Sequence, residues 1–150
     1  MPQSLVKNYV HLVWSTKNRA PFIDKNIQKE LYAYMGGICN NLESQLLQIG
    51  GIEDHIHILC LLSRKIAMMK LVEELKSHSS KWIKTKGASY HNFYWQNGYG
   101  GFSVNPREIE VVKHYIDNQE AHHKERTFKE EYRLFLNQYK IDFDEQYVWD

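Results

Sequence analysis

Apolar and polar positions alternate in two rhythms along this chain, and the switches between them mark its elements. Residues 5–15 place Val6, Val10, Leu12 and Trp14 at even intervals, the period of a strand with one buried face. Pro21 marks the loop after it. Residues 24–43 turn to a helical reading, with Asp24 able to cap the helix and Gly36-Gly37 as its weak point. Strands are expected at 45–51 and 54–62, and a helix at 66–86. Short strands at 93–96 and 101–104 flank a Gly-rich turn, and helices at 106–123 and 127–139 complete the map. Strand, helix, two hairpin-linked strands and helix are the elements of a ferredoxin-like α+β sandwich.

Within the third strand the sequence reads Asp54-His55-Ile56-His57-Ile58-Leu59-Cys60-Leu61-Leu62. Alternation puts His55 and His57 on one face, about 6–7 Å apart along the backbone, and Ile56, Ile58, Cys60 and Leu62 on the other, in the core. Two imidazoles at that separation can converge on one metal ion. They can equally be solvated or hydrogen-bonded histidines, and a buried polar pair is costly without a partner.

Far downstream, Asn105 and Pro106 suit a helix start. Ile109, Val112 and Ile116 recur at helical spacing, while Tyr115, Gln119 and His122 share another stripe. A phenol, an amide and an imidazole belong either to a functional face or to a half-buried surface helix with a snorkelling tyrosine.

Together these segments resemble the single-tyrosine HUH transposases of small bacterial insertion sequences, a family that includes the repeat-associated tyrosine transposases. His-hydrophobic-His on a strand followed by Tyr115-Ile116-Asp117-Asn118-Gln119 carries the likeness. His11 to Phe22 is similar to the family's opening strand and turn, Trp95 to Val104 to the segment before the tyrosine helix, and His122 to Tyr132 to its ending. The resemblance implies the HUH endonuclease fold, a central antiparallel sheet with packed helices whose paired histidines face the tyrosine helix. It implies Tyr115 as nucleophile, forming a phosphotyrosine that a DNA 3′-OH can later attack. His55, His57 and the amide oxygen of Gln119 would hold a divalent metal, Mg²⁺ or Mn²⁺; imidazoles alone would also suit zinc. His122 is the alternative third ligand, and His114 and His123 are expected at the surface. Glu53 and Asp54, beside the histidines, could support them from behind and are otherwise read as turn residues. The substrate implied is single-stranded DNA with hairpins at the element ends, handled by a homodimer in which the tyrosine helix can complete the partner's site. Gly98, Gly100 and Gly101 ahead of that helix would permit such a swing. A domesticated relative nicking repeated genomic hairpins would use the same residues, and a non-catalytic nucleic-acid-binding module would not need them.

Charge sharpens the picture where composition does not. The net charge of +1 conceals 0 over residues 1–63, +5 over 64–116 and −4 over 117–150. The basic excess sits in and beside one helix, where Lys70, Lys76, Lys81 and Lys84 interleave with Trp82 and several serines, and is read as a phosphate-binding face. Lys17 and Arg19 are a second candidate DNA track. The acidic C-terminal part would repel DNA and is expected away from the site. A length of 150 residues suits one domain over 1–150, with a C-terminal helix and acidic tail from about residue 124. No apolar run is long enough to span a bilayer and no leader pattern opens the chain, so the expectation is a cytoplasmic protein, nucleoid-associated while acting. Cys39 and Cys60 form no metal motif and are read as buried thiols.

Overall fold

The computed structural model describes residues 2–150. Its sheet has four strands, β1 (Tyr9–Ser15), β2 (Gln45–Ile52), β3 (His55–Leu61) and β4 (Gly100–Ser103). They lie in the order β2-β3-β1-β4, every neighbouring pair antiparallel. α1 (Gln28–Asn41) connects β1 to β2, and α2 (Met68–Lys84) connects β3 to β4. This is the ferredoxin-like sandwich with its antiparallel sheet, as the two rhythms predicted.

β1 begins at Tyr9, not residue 5, because its partner strands end there: Tyr9 faces Leu61, the last residue of β3, and Val10 faces Ser103, the last of β4. Leu5 and Val6 are consequently exposed. The expected strand at 93–96 shrinks to one bridge, Thr16 with Trp95. Gly36 and Gly37 do not interrupt α1. Asp24 caps the turn that leads into α1, its carboxylate accepting from the amides of Asn26 and Ile27.

Alternation along the strands separates two layers. Val10, Leu12 and Trp14 of β1 and Ile56, Ile58 and Cys60 of β3 pack on Leu31 and Met35 of α1 and Leu71 and Leu75 of α2. Cys39 and Cys60 are free and buried in this layer, and burial pushes both thiols up to about 12. The opposite face carries Val13, Leu59 and Phe102. Against it lie α3 (Ile109–Asp117), the short α4 (Gln119–His122) and α5 (Phe128–Gln138).

Asn105 accepts from the amide of Arg107 and Pro106 occupies the first turn, as the sequence suggested, but the turn 106–108 is 3₁₀. The single helix expected over 106–123 breaks at Asn118, whose φ of −102° and ψ of 27° end α3 and start α4. α3 comes close to β2 at Gly50, where a Cβ would stand 2.6 Å from the carbonyl oxygen of Ile116. Glycine at 50 therefore fixes how near Tyr115 lies to the sheet. Gly100 and Gly101 are paired inside β4 and do not form a hinge; the link from sheet to α3 runs through Val104 to Glu108.

Candidate active site

β3 presents His55 and His57 to the α3–α5 side, both fully buried. His55 Nδ1 meets Asp54 Oδ1 at 2.8 Å and Nε2 meets Gln119 Oε1 at 2.9 Å. Asp54 thus orients a histidine, the first of its two sequence readings, and is not only a turn residue. Burial works against a charge on His55, but Asp54 and Glu131 outweigh it and raise the imidazole to about 9.

His57 Nε2 meets Glu131 Oε1 at 3.0 Å, and Nδ1 meets His11 Nε2 at 2.8 Å. A carboxylate only accepts, so Nε2 of His57 donates, Nδ1 accepts, and the shared proton rides on His11. Burial holds both imidazoles below their usual range, with mutual repulsion adding to it for His11. His11 lies on β1, one strand over, where its ring also meets Phe135 edge-on. It positions His57 and fixes its tautomer.

Glu131 is the centre of the group. It is 1% exposed, on the apolar stripe of α5 between Phe128 and Phe135. Oε1 faces the histidines, at 3.4 Å from His55 Nε2 and 3.3 Å from His123 Nε2. Oε2 accepts a short hydrogen bond from the Tyr115 phenol and another from Gln119 Nε2 at 3.2 Å. Burial alone would raise this carboxyl, yet the surrounding imidazoles pull it far below the usual range, so it is ionised. Tyr115 is raised above its ordinary value by burial and then by Glu131, so its proton stays on the phenol, directed at Oε2.

The break at Asn118 leaves Tyr115 and Gln119 on one side of the segment, both reaching Glu131, and His123 follows one helical turn after Gln119. His123, expected at the surface, turns inward and meets Gln119 Oε1 at 3.0 Å. His122, the alternative third ligand, instead stacks on the Tyr115 ring at 4.5 Å between centroids. His114 is exposed, as expected. The acidic C-terminal part was expected away from the site; Glu131 comes from it and sits in the middle.

This donor set fits a metal. One atom each from His55, His57, His123 and Glu131 lies within 4.8 Å of the others. Glu131 Oε1 stands 3.0–3.4 Å from each of the three imidazoles, the spacing of neighbouring ligands about 2.1 Å from a common ion. Gln119 Oε1 points into the same space.

Of the six basic residues proposed from sequence, Lys76 is turned inward. Its ammonium donates to the carbonyls of Gln96, Asn97 and Gly98 at 2.7–3.0 Å, and burial lowers it to about 8, so it clamps the 96–98 backbone and is no free phosphate ligand. Lys70 is paired with Glu74. Arg19 donates to the carbonyl of Trp149. Lys17 and Lys81 are exposed, and Lys84 donates to Ser80 Oγ. No helix among the described residues is long and apolar enough to cross a membrane.

Two solved structures share the fold. A transposase candidate from Deinococcus radiodurans R1 superposes with a TM-score of 0.62 at 20% identity, over 79% of this chain and 98% of its own. The REP-associated tyrosine transposase bound to a REP hairpin superposes with a TM-score of 0.60 at 13% identity, over 82% of this chain and 73% of its own. No curated protein matches the chain significantly. The family model for IS200-like transposases matches residues 4–119, most of the chain and all four strands. The chain belongs to the IS200-like transposase family.

Proposed function

We propose that this protein cleaves and rejoins single-stranded DNA bearing hairpins, through a 5′-phosphotyrosine on Tyr115, with a divalent metal beside His55 and His57. The carrying observation is the two-sided carboxylate of Glu131. One oxygen receives the Tyr115 phenol and the other faces three imidazoles, so nucleophile and donor cluster are joined through one residue of one chain.

In this reading the phenol proton passes to Glu131 as the Tyr115 oxygen bonds to phosphorus. The bond from phosphorus to the 3′-oxygen breaks, and that oxygen takes a proton from solvent. Rejoining reverses the order: a DNA 3′-OH attacks the phosphotyrosine and gives its proton to solvent, the bond from phosphorus to the Tyr115 oxygen breaks, and that oxygen regains a proton from solvent by way of Glu131. The covalent bond conserves the energy of the cut. A divalent ion held by His55, His57 and Gln119, with His123 and Glu131 as further donors, would supply positive charge to the scissile phosphate and the departing oxygen. Mg²⁺ or Mn²⁺ is the family expectation, and three imidazoles favour Mn²⁺ of the two. Hairpin DNA is the substrate class borne by the structural relative. Homodimerisation belongs to the reading as a way of holding two DNA ends. In this reading Tyr115 serves its own chain's histidines, which the contact of both with Glu131 supports.

The test uses 3′-labelled hairpin DNA from sequences flanking the gene, incubated with Mg²⁺ or Mn²⁺ and run on a denaturing gel. Wild type is expected to give a labelled protein band and Tyr115→Phe none, with DNA binding retained. Cleavage that releases a free 5′-phosphate without an adduct would make the protein a hydrolase instead.

A further inference from the structure

In the segment Phe93-Tyr94-Trp95 the two outer rings are buried, at 0% and 7% exposure, and pack edge-on against each other at 4.7 Å. Their neighbours lock them further: Phe22 lies against Phe93, and the Trp95 indole donates to Ser79 Oγ at 2.9 Å. With both flanking side chains directed inward, Tyr94 is driven outward and is 54% exposed. Because the backbone beneath this exposed ring is already pinned, binding to it costs no further backbone entropy.

Two cations stand over that ring. Lys84 Nζ is 4.4 Å from its centroid and Lys17 Nζ is 6.0 Å away. Lys25, Lys65, Lys70, Lys86 and Lys113 are each paired with a glutamate. Neither Lys17 nor Lys84 has an acidic partner among the described residues.

The backbone ties this place to the active site. The amide of Lys17 donates to the carbonyl of Tyr94 at 2.7 Å. The amide of the preceding residue, Thr16, donates to the carbonyl of Asp54 at 2.9 Å, and Asp54 holds His55. Tyr94 therefore stands beside the end of the sheet from which the histidine pair starts.

We propose that Tyr94, flanked by Lys17 and Lys84, is a stacking subsite for an unpaired base of the single-stranded DNA entering the active site, the two lysines holding the adjoining phosphates. Single-stranded nucleic acid is the occupant because it alone combines a π-face for the ring with anionic charge for both cations. The subsite rests on the DNA-cleaving reading for its purpose, but its occupancy is measurable without cleavage.

The experiment uses single-stranded oligodeoxynucleotides in which the fluorescent adenine analogue 2-aminopurine is moved one position at a time. Affinity is measured over a range of salt concentrations. Wild type should quench the fluorophore at one position. Tyr94→Leu should abolish that quenching and weaken binding by roughly 5- to 100-fold, with an unchanged salt slope, whereas Tyr94→Phe should keep both properties. Lys84→Gln should leave the quenching and reduce the slope of log K against log salt by about 0.7. Wild-type affinity and quenching in Tyr94→Leu, or no single-stranded DNA binding by wild type, would overturn the subsite. A wild type that stacks and binds but yields no Tyr115 adduct would keep the subsite and remove the cleavage reading. An adduct with Tyr94→Leu binding normally would do the reverse.

Discussion

The two faces of β3 are one residue apart and chemically opposite. Ile56, Ile58 and Cys60 look into a layer of aliphatic and aromatic side chains closed by α1 and α2. His55 and His57, themselves fully buried, look into a layer of imidazoles, an amide, a carboxylate and the half-buried Tyr115 phenol. The first face is stabilised by burial of apolar area, at roughly 25 cal/mol per Å², and asks little of orientation. The second gains little net stability, because each buried polar group must recover in hydrogen bonds what it loses in hydration. Its hydrogen bonds interlock, so removing one partner strands another. Stability and specificity therefore reside on opposite faces: the dry face fixes that the chain folds, and the polar face fixes where Tyr115 points.

Breaking the polar face at its centre should have the largest effect. Glu131→Gln keeps the shape and removes both the charge beside the histidines and the proton acceptor of Tyr115. Adduct formation should fall by about 100-fold or more, the range general-base removal commonly costs. Mn²⁺ binding, followed by calorimetry, should weaken as well. Wild-type adduct yield with Glu131→Gln would show that the short Tyr115 contact serves only to park the phenol.

Legibility from sequence divides along the same line. The dry face could be read almost residue by residue, since periodicity reports burial and burial is what that face consists of. Ile56, Ile58, Cys60 and Leu62 fell where alternation placed them. The polar face was half legible. His55 and His57 stood out as polar residues on a greasy strand, and the phase from Tyr115 to Gln119 survived. His123 stands one helical turn beyond Gln119, so the spacing that links Tyr115 to Gln119 carries on to it, and the expectation of a surface position overlooked that step. Glu131 left a signal that charge counting obscured: a lone carboxylate within the stripe Phe128, Tyr132, Phe135 and Leu136, where an unpaired charge would be untenable. His11 left the weaker mark of an imidazole on the same face of β1 as Val13 and Ser15. Its partner is a diagonal neighbour, since Val13 is the residue in register with His57.

The matching cut on the dry face should give the opposite phenotype. Ile58 is completely buried between β1 and the α1–α2 layer. Ile58→Ala should lower stability by about 2–5 kcal/mol through lost transfer free energy and the cavity left behind. Denaturant titration would measure the loss. At a temperature where the variant remains folded, adduct yield per folded molecule should match wild type. A fall in yield without a fall in stability would mean that the two faces are coupled through the strand itself.

The smallest effect is expected from one substitution, glycine to alanine, made in three places. Gly37 lies mid-helix in α1 with nothing within 4 Å of where a Cβ would stand. Alanine there restricts the unfolded chain and improves helix propensity, together worth roughly 0.5–1 kcal/mol. For a chain of this size the midpoint should rise by about 1–4 °C in a thermal melt. At Gly36 the new Cβ would meet Leu46 Cδ2 at 2.8 Å, the flexible end of a side chain that can turn aside, so the gain should shrink towards zero. At Gly50, beneath α3, the obstacle is the carbonyl oxygen of Ile116 at 2.6 Å, which cannot move without carrying Tyr115 with it. Gly50→Ala should therefore lower both the melting temperature and the adduct yield, while Gly37→Ala raises the first and leaves the second alone. Equal melting shifts at positions 37 and 50 would mean that α3 floats over the sheet, and the position of Tyr115 would then have to be set by Glu131 alone.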